Sequence, residues 1–178
     1  MKSFTTFSKL IKADYSRINN RSSNLLIILF KALFYPPLSA VINFRLSSFF
    51  YSINLKSFSK FYYLKNFREY GIDILPITKI GPGLLFPHPN GIIVSGWAAI
   101  GENCTILHQV TIGIKNLDSN LAPIIGNHCT IMSGAKILGN ILISNGVVIG
   151  ANAVVIKNAD KNSILVGVPA KPIKNEKH

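Results

Sequence analysis

An aliphatic residue returns at every sixth position through the second half of the chain. The positions are Ile125, Ile131, Ile137, Ile143, Ile149 and Val155. A helix repeats near 3.6 residues and a strand at two, so a sustained period of six predicts short strands that turn corners in a parallel β-helix. The fourth position after each of these residues is small or branched, which suits side chains that fill a narrow prism.

The same period extends backwards to Ile74, with two interruptions. Between Ile92 and Ile100 the spacing is eight, which indicates a two-residue insertion. Between Ile112 and Ile125 it is thirteen, which predicts an extruded loop, placed at residues 114–124. We therefore predict an all-β left-handed parallel β-helix over residues 71–168, followed by a tail at 169–178.

The first 70 residues have a different character. They hold eleven Lys and Arg against two acidic residues, a net charge of +9, whereas the remainder carries +3. The apolar run from Leu25 to Tyr35 is too short to span a bilayer, contains Lys31 and stops at two prolines. A small-residue cleavage site is missing, so a secretory signal is not indicated. We predict an α-helical region at residues 1–70 whose helices pack on one another or on a second subunit.

Aromatic and basic residues alternate in the later part of this region, which leaves open a peripheral contact of residues 25–70 with anionic lipid. No nucleic-acid-binding motif is recognisable. Cys104 and Cys129 both fall on compact inward positions of the repeat, so they are expected to be buried thiols without a disulfide or metal. This usage predicts a cytoplasmic protein, with contact at the inner face of the cell membrane as an option.

Two histidines carry the candidate chemistry. Three hexapeptides make one coil, and His88 and His108 are separated by eighteen residues plus the two-residue insertion, so they should stack on neighbouring coils. With the extruded loop removed, Ser133 and Ala151 continue the same column. Two imidazoles beside two small residues predict a groove with a base at its foot.

The two other histidines are not expected to join this column. His128 lies three positions after its inward residue rather than two, which argues against a three-histidine zinc site. His178 is terminal. Both are interpreted as solvent-exposed residues.

Six segments together resemble the serine acetyltransferase branch of the left-handed β-helix acyltransferases, over residues 71–173. They are GIDILP, FPHPNG, ILHQVTIG, SGAKILGNI, VVIGANAVV and VGVPAKPI. The resemblance implies acetyl-CoA as co-substrate, no metal, and a homotrimer with active sites in the clefts between prisms. It also implies that His88 is the general base and that Asp73 orients it.

The same resemblance implies where the co-substrate binds. Gly113, Ser133 and Ala151 correspond to the CoA groove, and Gly167 and Lys171 lie in the segment that closes over the nucleotide end. The role of His108 stays open among binding the acceptor, placing the thioester, acting in a neighbouring subunit, and merely lining the groove.

The chain also departs from the serine enzymes of this family. Pro87 stands where they carry an aspartate, and Leu121 and Ala122 replace an Arg-His pair that grips the acceptor's carboxylate. The segment SNLAPIIG, His108 in place of a glutamine and the basic, aromatic amino-terminal region resemble the acetyltransferases of capsule and colanic-acid synthesis. The expected acceptor is therefore a sugar hydroxyl of a capsular or other surface polysaccharide, or its precursor. Trp97 and Asn120 are expected to help choose it. The alternatives are serine or another small-molecule acceptor, and a non-catalytic scaffold.

Overall fold

The structure is a computed structural model that describes residues 4–116, 118 and 120–173. Its amino-terminal part consists of the helices α1 (Phe4–Asn19), α2 (Leu25–Ala32), α3 (Pro36–Ser52) and α4 (Lys56–Tyr70). The side chain of Asn24 caps α2 by accepting from the Ile27 amide at 2.9 Å. Proline occupies the first turn of α3, where no intrahelical amide bond is lost. Gly71 ends α4 in a left-handed conformation, φ +62°.

Short strands form the rest of the described chain. They are β1 (Asp73–Ile74), β2 (Lys79–Ile80), β3 (Ile93–Val94), β4 (Ala99–Ile100), β5 (Thr105–Ile106), β6 (Thr111–Gly113), β7 (Ile124–Ile125), β8 (Thr130–Ile131), β9 (Lys136–Leu138), β10 (Leu142–Ile143), β11 (Val148–Ile149), β12 (Val154–Val155), β13 (Ile164–Val166) and β14 (Lys171–Ile173).

These strands stack into three sheets, one for each face of a prism. The first sheet has the order β1-β3-β6-β9-β12, the second β10-β7-β4-β2, and the third β14-β13-β11-β8-β5. Neighbouring strands are parallel, apart from the antiparallel pair β13 and β14. The predicted left-handed parallel β-helix is thereby confirmed.

The core of the prism is a set of vertical stacks. In the third sheet Ile131 lies in register with Ile106 on one side and Ile149 on the other, and all three are fully buried. The second residue of a short strand points inward and the first points outward, because side chains alternate along a strand. Cys104 and Cys129 are buried free thiols that form part of this interior, as predicted. A hydrogen bond to Cys129, together with burial, raises the pKa of Cys104.

The predicted position of the two-residue insertion is wrong. Val94, not Ile92, lies in register with Ile74 and Ile112, so Val94 continues the inward column. Its spacing to Ile100 is six, and the two extra residues lie earlier, between Phe86 and Val94. The pattern was ambiguous because Ile92 is also fully buried, on the compact position of the repeat. The insertion therefore enlarges the corner that carries His88.

Two predicted boundaries also change. Ile124 is the first residue of β7 and pairs with Ala99 and Leu142, so the extruded loop spans 114–123 rather than 114–124. β14 folds back onto β13, so the β-structure continues to Ile173 instead of ending at 168.

A buried ion pair joins the helices to the first coil. Arg45 of α3 donates to both carboxylate oxygens of Asp14 in α1, at 2.8 and 3.1 Å, and also to the carbonyls of Ile80 and Gly81 at 2.8 and 2.6 Å. Asp14 accepts in addition from the Leu84 amide at 2.8 Å. Both charged side chains are almost fully buried, so this joint ties two helices to the prism.

No single helix within the described residues is long and apolar enough to cross a membrane. The pair α2 and α3 passes the same test of length and composition only when taken together, and its two helices are bent by 117°.

Candidate active site

One corner of the prism, between the third and first sheets, carries the predicted column. Each member stands two positions after an inward residue of the third sheet, and these inward residues are in register from coil to coil. The members are His88, His108, Ser133 and Ala151, which follow Phe86, Ile106, Ile131 and Ile149. Register thus brings together four residues that the chain separates by up to 63 positions.

The two imidazoles are neighbours in edge-to-face geometry. The ring centroids of His88 and His108 are 5.9 Å apart and the ring planes meet at 81°. His88 is exposed, whereas Nδ1 of His108 is buried and has no hydrogen-bond partner within the described residues. An exposed imidazole is free to accept a proton from a ligand, and an unpaired buried nitrogen calls for a partner that the described chain does not supply.

Asp73 reaches this part of the prism from β1. Its main-chain amide donates to the carbonyl of Ile92 at 2.9 Å, and its Oδ1 accepts from the Tyr63 hydroxyl of α4 at 2.9 Å. Partial burial and the bond to Asp73 raise the pKa of Tyr63. No hydrogen bond joins Asp73 to His88 in the part of the chain that the structure describes, so the orienting role of Asp73 stays a prediction.

The sequence places Tyr63 among the aromatic and basic residues of the helical region and does not predict its contact with Asp73. The residue lies ten positions before Asp73, on a helix whose aromatic residues follow no clear apolar stripe. Its proximity to Asp73 depends on how α4 packs against β1, and no local pattern encodes that packing.

Small residues leave the corner open along the predicted groove. Ser133 and Ala151 project little beyond the main chain. Gly113 lies across the first sheet, at the end of β6, where an added Cβ would meet nothing within 4 Å. Gly167 follows on the next coil, two positions after the inward Leu165, in an exposed left-handed conformation at φ +93°. Lys171 is exposed on β14. This lining leaves room for a slender, chain-like ligand.

A cation stands beside the histidine corner. The ammonium group of Lys136, on β9, donates to the carbonyl of Gln109 at 2.6 Å. Gln109 directly follows His108, so the ammonium group is held at the main chain of this corner. Lys136 precedes the inward Ile137 on β9, and its side chain reaches the corner through this hydrogen bond.

Trp97 and Asn120 lie at a different corner, between the first and second sheets. Trp97 is 60% exposed in the turn between β3 and β4, and Asn120 is exposed in the extruded loop that joins β6 to β7. Within one chain the first sheet separates both residues from the histidine column. A role in acceptor binding at His88 would therefore require a second copy of the chain.

His128 is exposed at a third corner, where it borders a shallow groove with Arg17 and Asn103. His178 lies outside the described residues. Among the described residues, no three His, Cys, Asp or Glu side chains are grouped as a metal site would require.

Comparison with known proteins supports the β-helix fold. The bacterial transferase hexapeptide model, of six repeats, matches residues 122–157. The serine acetyltransferase of Buchnera aphidicola subsp. Acyrthosiphon pisum is 38% identical over 130 residues, which are 72% of this chain and 47% of that protein. The chain thus spans about half the length of the curated relatives it matches.

Solved structures match most of the chain. The Neisseria gonorrhoeae serine acetyltransferase in complex with serine is 31% identical with a TM-score of 0.82, over 97% of this chain and 71% of that one. The Brucella abortus serine acetyltransferase in complex with coenzyme A is 29% identical with a TM-score of 0.83, over 96% and 68%.

The predicted polysaccharide acceptor is wrong. The relatives and solved structures that match are serine acetyltransferases, named for a small-molecule acceptor, and they support the alternative instead. One of the departures that led to the prediction has a structural explanation. Ala122 is 6% exposed and packs in the core at the base of the extruded loop, so packing constrains this residue and it is a poor guide to the acceptor.

Proposed function

We propose that this chain, which belongs to the serine acetyltransferase family of hexapeptide-repeat β-helix proteins, transfers an acetyl group from acetyl-CoA to the hydroxyl of a small molecule. Serine is the first candidate acceptor. The observation that carries the proposal is the exposed imidazole of His88, in edge-to-face contact with His108 at the foot of an open corner lined by small residues. The names of the relatives support the same chemistry.

His88 acts as the general base. It takes the hydroxyl proton of the acceptor as that oxygen attacks the thioester carbonyl, and the imidazolium then returns the proton to the departing thiolate. Asp73 stabilises the imidazolium, and a main-chain N–H at the corner donates to the developing oxyanion. His108, with its unpaired buried Nδ1, lies where it can hold a polar group of the acceptor or of the thioester.

Acetyl-CoA fits the same corner as co-substrate. Ser133 and Ala151 leave space for its slender pantetheine arm. Gly113, at the end of β6, would line the groove from a second copy of the chain, as proposed for Trp97 and Asn120. Further along, Gly167 and Lys171 would hold the nucleotide end, where the ammonium group of Lys171 suits a phosphate.

We assign to Lys136 the role of binding the carboxylate of the acceptor. An amino acid presents a carboxylate as well as a hydroxyl, and a fixed positive charge beside the base would orient both. Its bond to the Gln109 carbonyl holds the ammonium group at the histidine corner. Lys136→Gln should therefore raise KM for serine at least tenfold and leave KM for acetyl-CoA nearly unchanged. A raised KM for acetyl-CoA with an unchanged KM for serine would indicate that Lys136 binds the CoA phosphates instead.

The proposal includes a homotrimer. An open corner needs a second wall to enclose substrates, and Trp97 and Asn120 can approach His88 only from another copy. Ile124 and Leu142 also lie in register on the outer face of the second sheet, 53% and 50% exposed, and association would cover them. Sedimentation equilibrium should give three times the chain mass, and a monomer at micromolar concentration would contradict this part.

Peripheral contact of residues 25–70 with anionic lipid is a further part of the proposal. Leu26 and Phe34 are 79% and 74% exposed around α2, and residues 25–70 hold six Lys and Arg, of which Arg45 is buried, against one acid, Glu69. Such a surface suits a negatively charged bilayer. Co-sedimentation with phosphatidylglycerol vesicles should fall at least threefold in Leu26→Ser/Phe34→Ser. Equal binding by the variant, or none by the wild type, would contradict the contact.

The central test is release of free CoA from acetyl-CoA with L-serine and with other small hydroxyl compounds. Loss of a general base typically costs about 10²- to 10⁴-fold, so His88→Ala should lose that much activity. His128→Ala removes an exposed imidazole at another corner and serves as the matched control, with activity unchanged. An absence of turnover and of CoA binding would favour the non-catalytic scaffold. Full activity of His88→Ala would exclude the assigned base.

A further inference from the structure

We propose that Tyr63 is a positioning residue, which holds the carboxylate of Asp73 in place for His88. This inference rests on the proposed function. It assigns to the helical region a direct part in the active site, through the 2.9 Å bond from the Tyr63 hydroxyl to Asp73 Oδ1.

One oxygen of the Asp73 carboxylate is held by a hydrogen bond, and the other is available to a further donor. The main chain of Asp73 is fixed by its amide bond to Ile92, the residue that ends the enlarged His88 corner. Oδ1 is occupied by Tyr63, whereas Oδ2 has no hydrogen-bond partner within the described residues. Asp73 is only half-buried, so without Tyr63 its side chain could turn towards water. The tyrosine thus leaves one oxygen of a fixed carboxylate available to an imidazole N–H.

The tyrosine is itself held firmly. Its ring stacks on Phe67 with centroids 6.3 Å apart and an interplanar angle of 27°. The helix that carries both rings is anchored to α3, because Asn66 donates to the buried carbonyl of Ala40 at 2.8 Å. A donor on a fixed helix loses little entropy when it orients its acceptor, so the bond suits preorganisation of a catalytic group.

The neighbouring tyrosine provides a matched control. Tyr62 stacks on Phe50 at 5.7 Å and 7°, and its hydroxyl makes no hydrogen bond within the described residues. Tyr62→Phe and Tyr63→Phe remove the same atom from the same helix, yet only the second breaks a contact with Asp73. We expect about a tenfold loss of kcat in Tyr63→Phe, the size expected for one hydrogen bond to a charged group. KM for acetyl-CoA and the activity of Tyr62→Phe should not change.

A double-mutant cycle separates positioning from a general structural effect. In an Asp73→Asn background, Tyr63→Phe should cost less than twofold, because the carboxylate that it orients is gone. A tenfold loss in both backgrounds would overturn the inference. So would equal losses in Tyr62→Phe and Tyr63→Phe.

A second readout needs no turnover and so distinguishes failure of this inference from failure of the proposed function. The imidazole signal of His88 in an NMR spectrum reports the position of its neighbours without any reaction. With His88 assigned through His88→Ala, this signal should move in Asp73→Asn and in Tyr63→Phe, but not in Tyr62→Phe. If the wild type is inactive and yet shows this pattern, the proposed acetyl transfer is refuted and the positioning role of Tyr63 stands. An unchanged His88 signal in Tyr63→Phe would overturn the inference.

Discussion

The prism and the helical region are stabilised in different ways. Inside the prism, Ile106, Ile131 and Ile149 repeat one contact from coil to coil, and each is fully buried between like neighbours. The helices meet the prism through apolar packing of Ala40, Val41 and Phe44 and through unrepeated polar contacts. Among these polar contacts, those of Asp14 and Arg45 with the main chain of the first coil are buried. A repeated contact spreads stability over many residues, whereas an unrepeated one concentrates it in a few.

The candidate site lies where these two kinds of structure meet. The prism supplies His88 and His108 through its register, and the helical region supplies Tyr63 through one hydrogen bond. We therefore expect substitutions at the joint between helices and prism to have a different effect on stability from substitutions inside the prism. A second substitution should also compensate them to a different extent.

The largest effect on stability is expected at the buried ion pair. Arg45→Ala leaves the carboxylate of Asp14 buried without its partner and removes two donors from the carbonyls of the first coil. Breaking a buried pair in this way typically costs about 3 to 5 kcal/mol in the free energy of unfolding. Urea denaturation followed by circular dichroism measures this loss.

The double substitution Asp14→Leu/Arg45→Met is the control. Because it removes both charges together, it should recover a large part of the lost stability. A double variant that is less stable than Arg45→Ala would show that the contacts to the carbonyls, rather than the charge pair, hold the joint.

A smaller loss of stability is expected for a substitution inside the prism. Ile131→Ala deletes buried methyl and methylene groups between two coils that cannot collapse into the space, and should cost about 3 kcal/mol. Thr130→Ala changes the outward residue of the same strand and should cost well under 1 kcal/mol. Equal losses for the two variants in urea denaturation would contradict the inward and outward assignment.

The contrast between repeated contacts in the prism and unrepeated contacts of the helices explains which features could be predicted from the sequence. The period of six predicted the prism, the large inward residue of each hexapeptide and the column from His88 to Ala151. These positions follow from the sequence because every regular coil has the same number of residues. The count failed where two adjacent inward positions are both aliphatic, at Ile92 and Val94. It also did not predict that β7 begins at Ile124 or that β14 folds back onto β13. The helices followed from composition and prolines, but their attachment did not.

The contacts that the sequence did not predict join residues that no repeat pattern relates. Asp14 and Arg45 are 31 residues apart, and no periodicity relates them. The bond from Tyr63 to Asp73 likewise depends on the packing of α4. The predicted acceptor rested in part on Ala122, whose position is set by apolar packing in the core at the base of the extruded loop.

Corner glycines should show a smaller effect than core residues. Gly134 has φ +72°, and an added Cβ would collide with the side chain of Asn152 on the next coil. A non-glycine residue in this conformation costs about 1 to 2 kcal/mol, so Gly134→Ala should lose about that much stability. Gly113→Ala is the matched control, because its Cβ meets nothing and its φ is ordinary. A neutral Gly134→Ala would show that the corner can change conformation.

The smallest effect is expected on the solvent face of the helical region. Lys65 and Glu69 are one turn apart on α4 and their charged atoms are 4.0 Å apart, but both side chains are substantially exposed. Water and salt screen such a pair, so Glu69→Ala should change the free energy of unfolding by less than about 0.5 kcal/mol. The comparison with Arg45→Ala tests whether burial, rather than the presence of an ion pair, decides what a charge contributes to this region. A loss above 1 kcal/mol in low-salt urea denaturation would show that the outer face of α4 is covered by another part of the assembly.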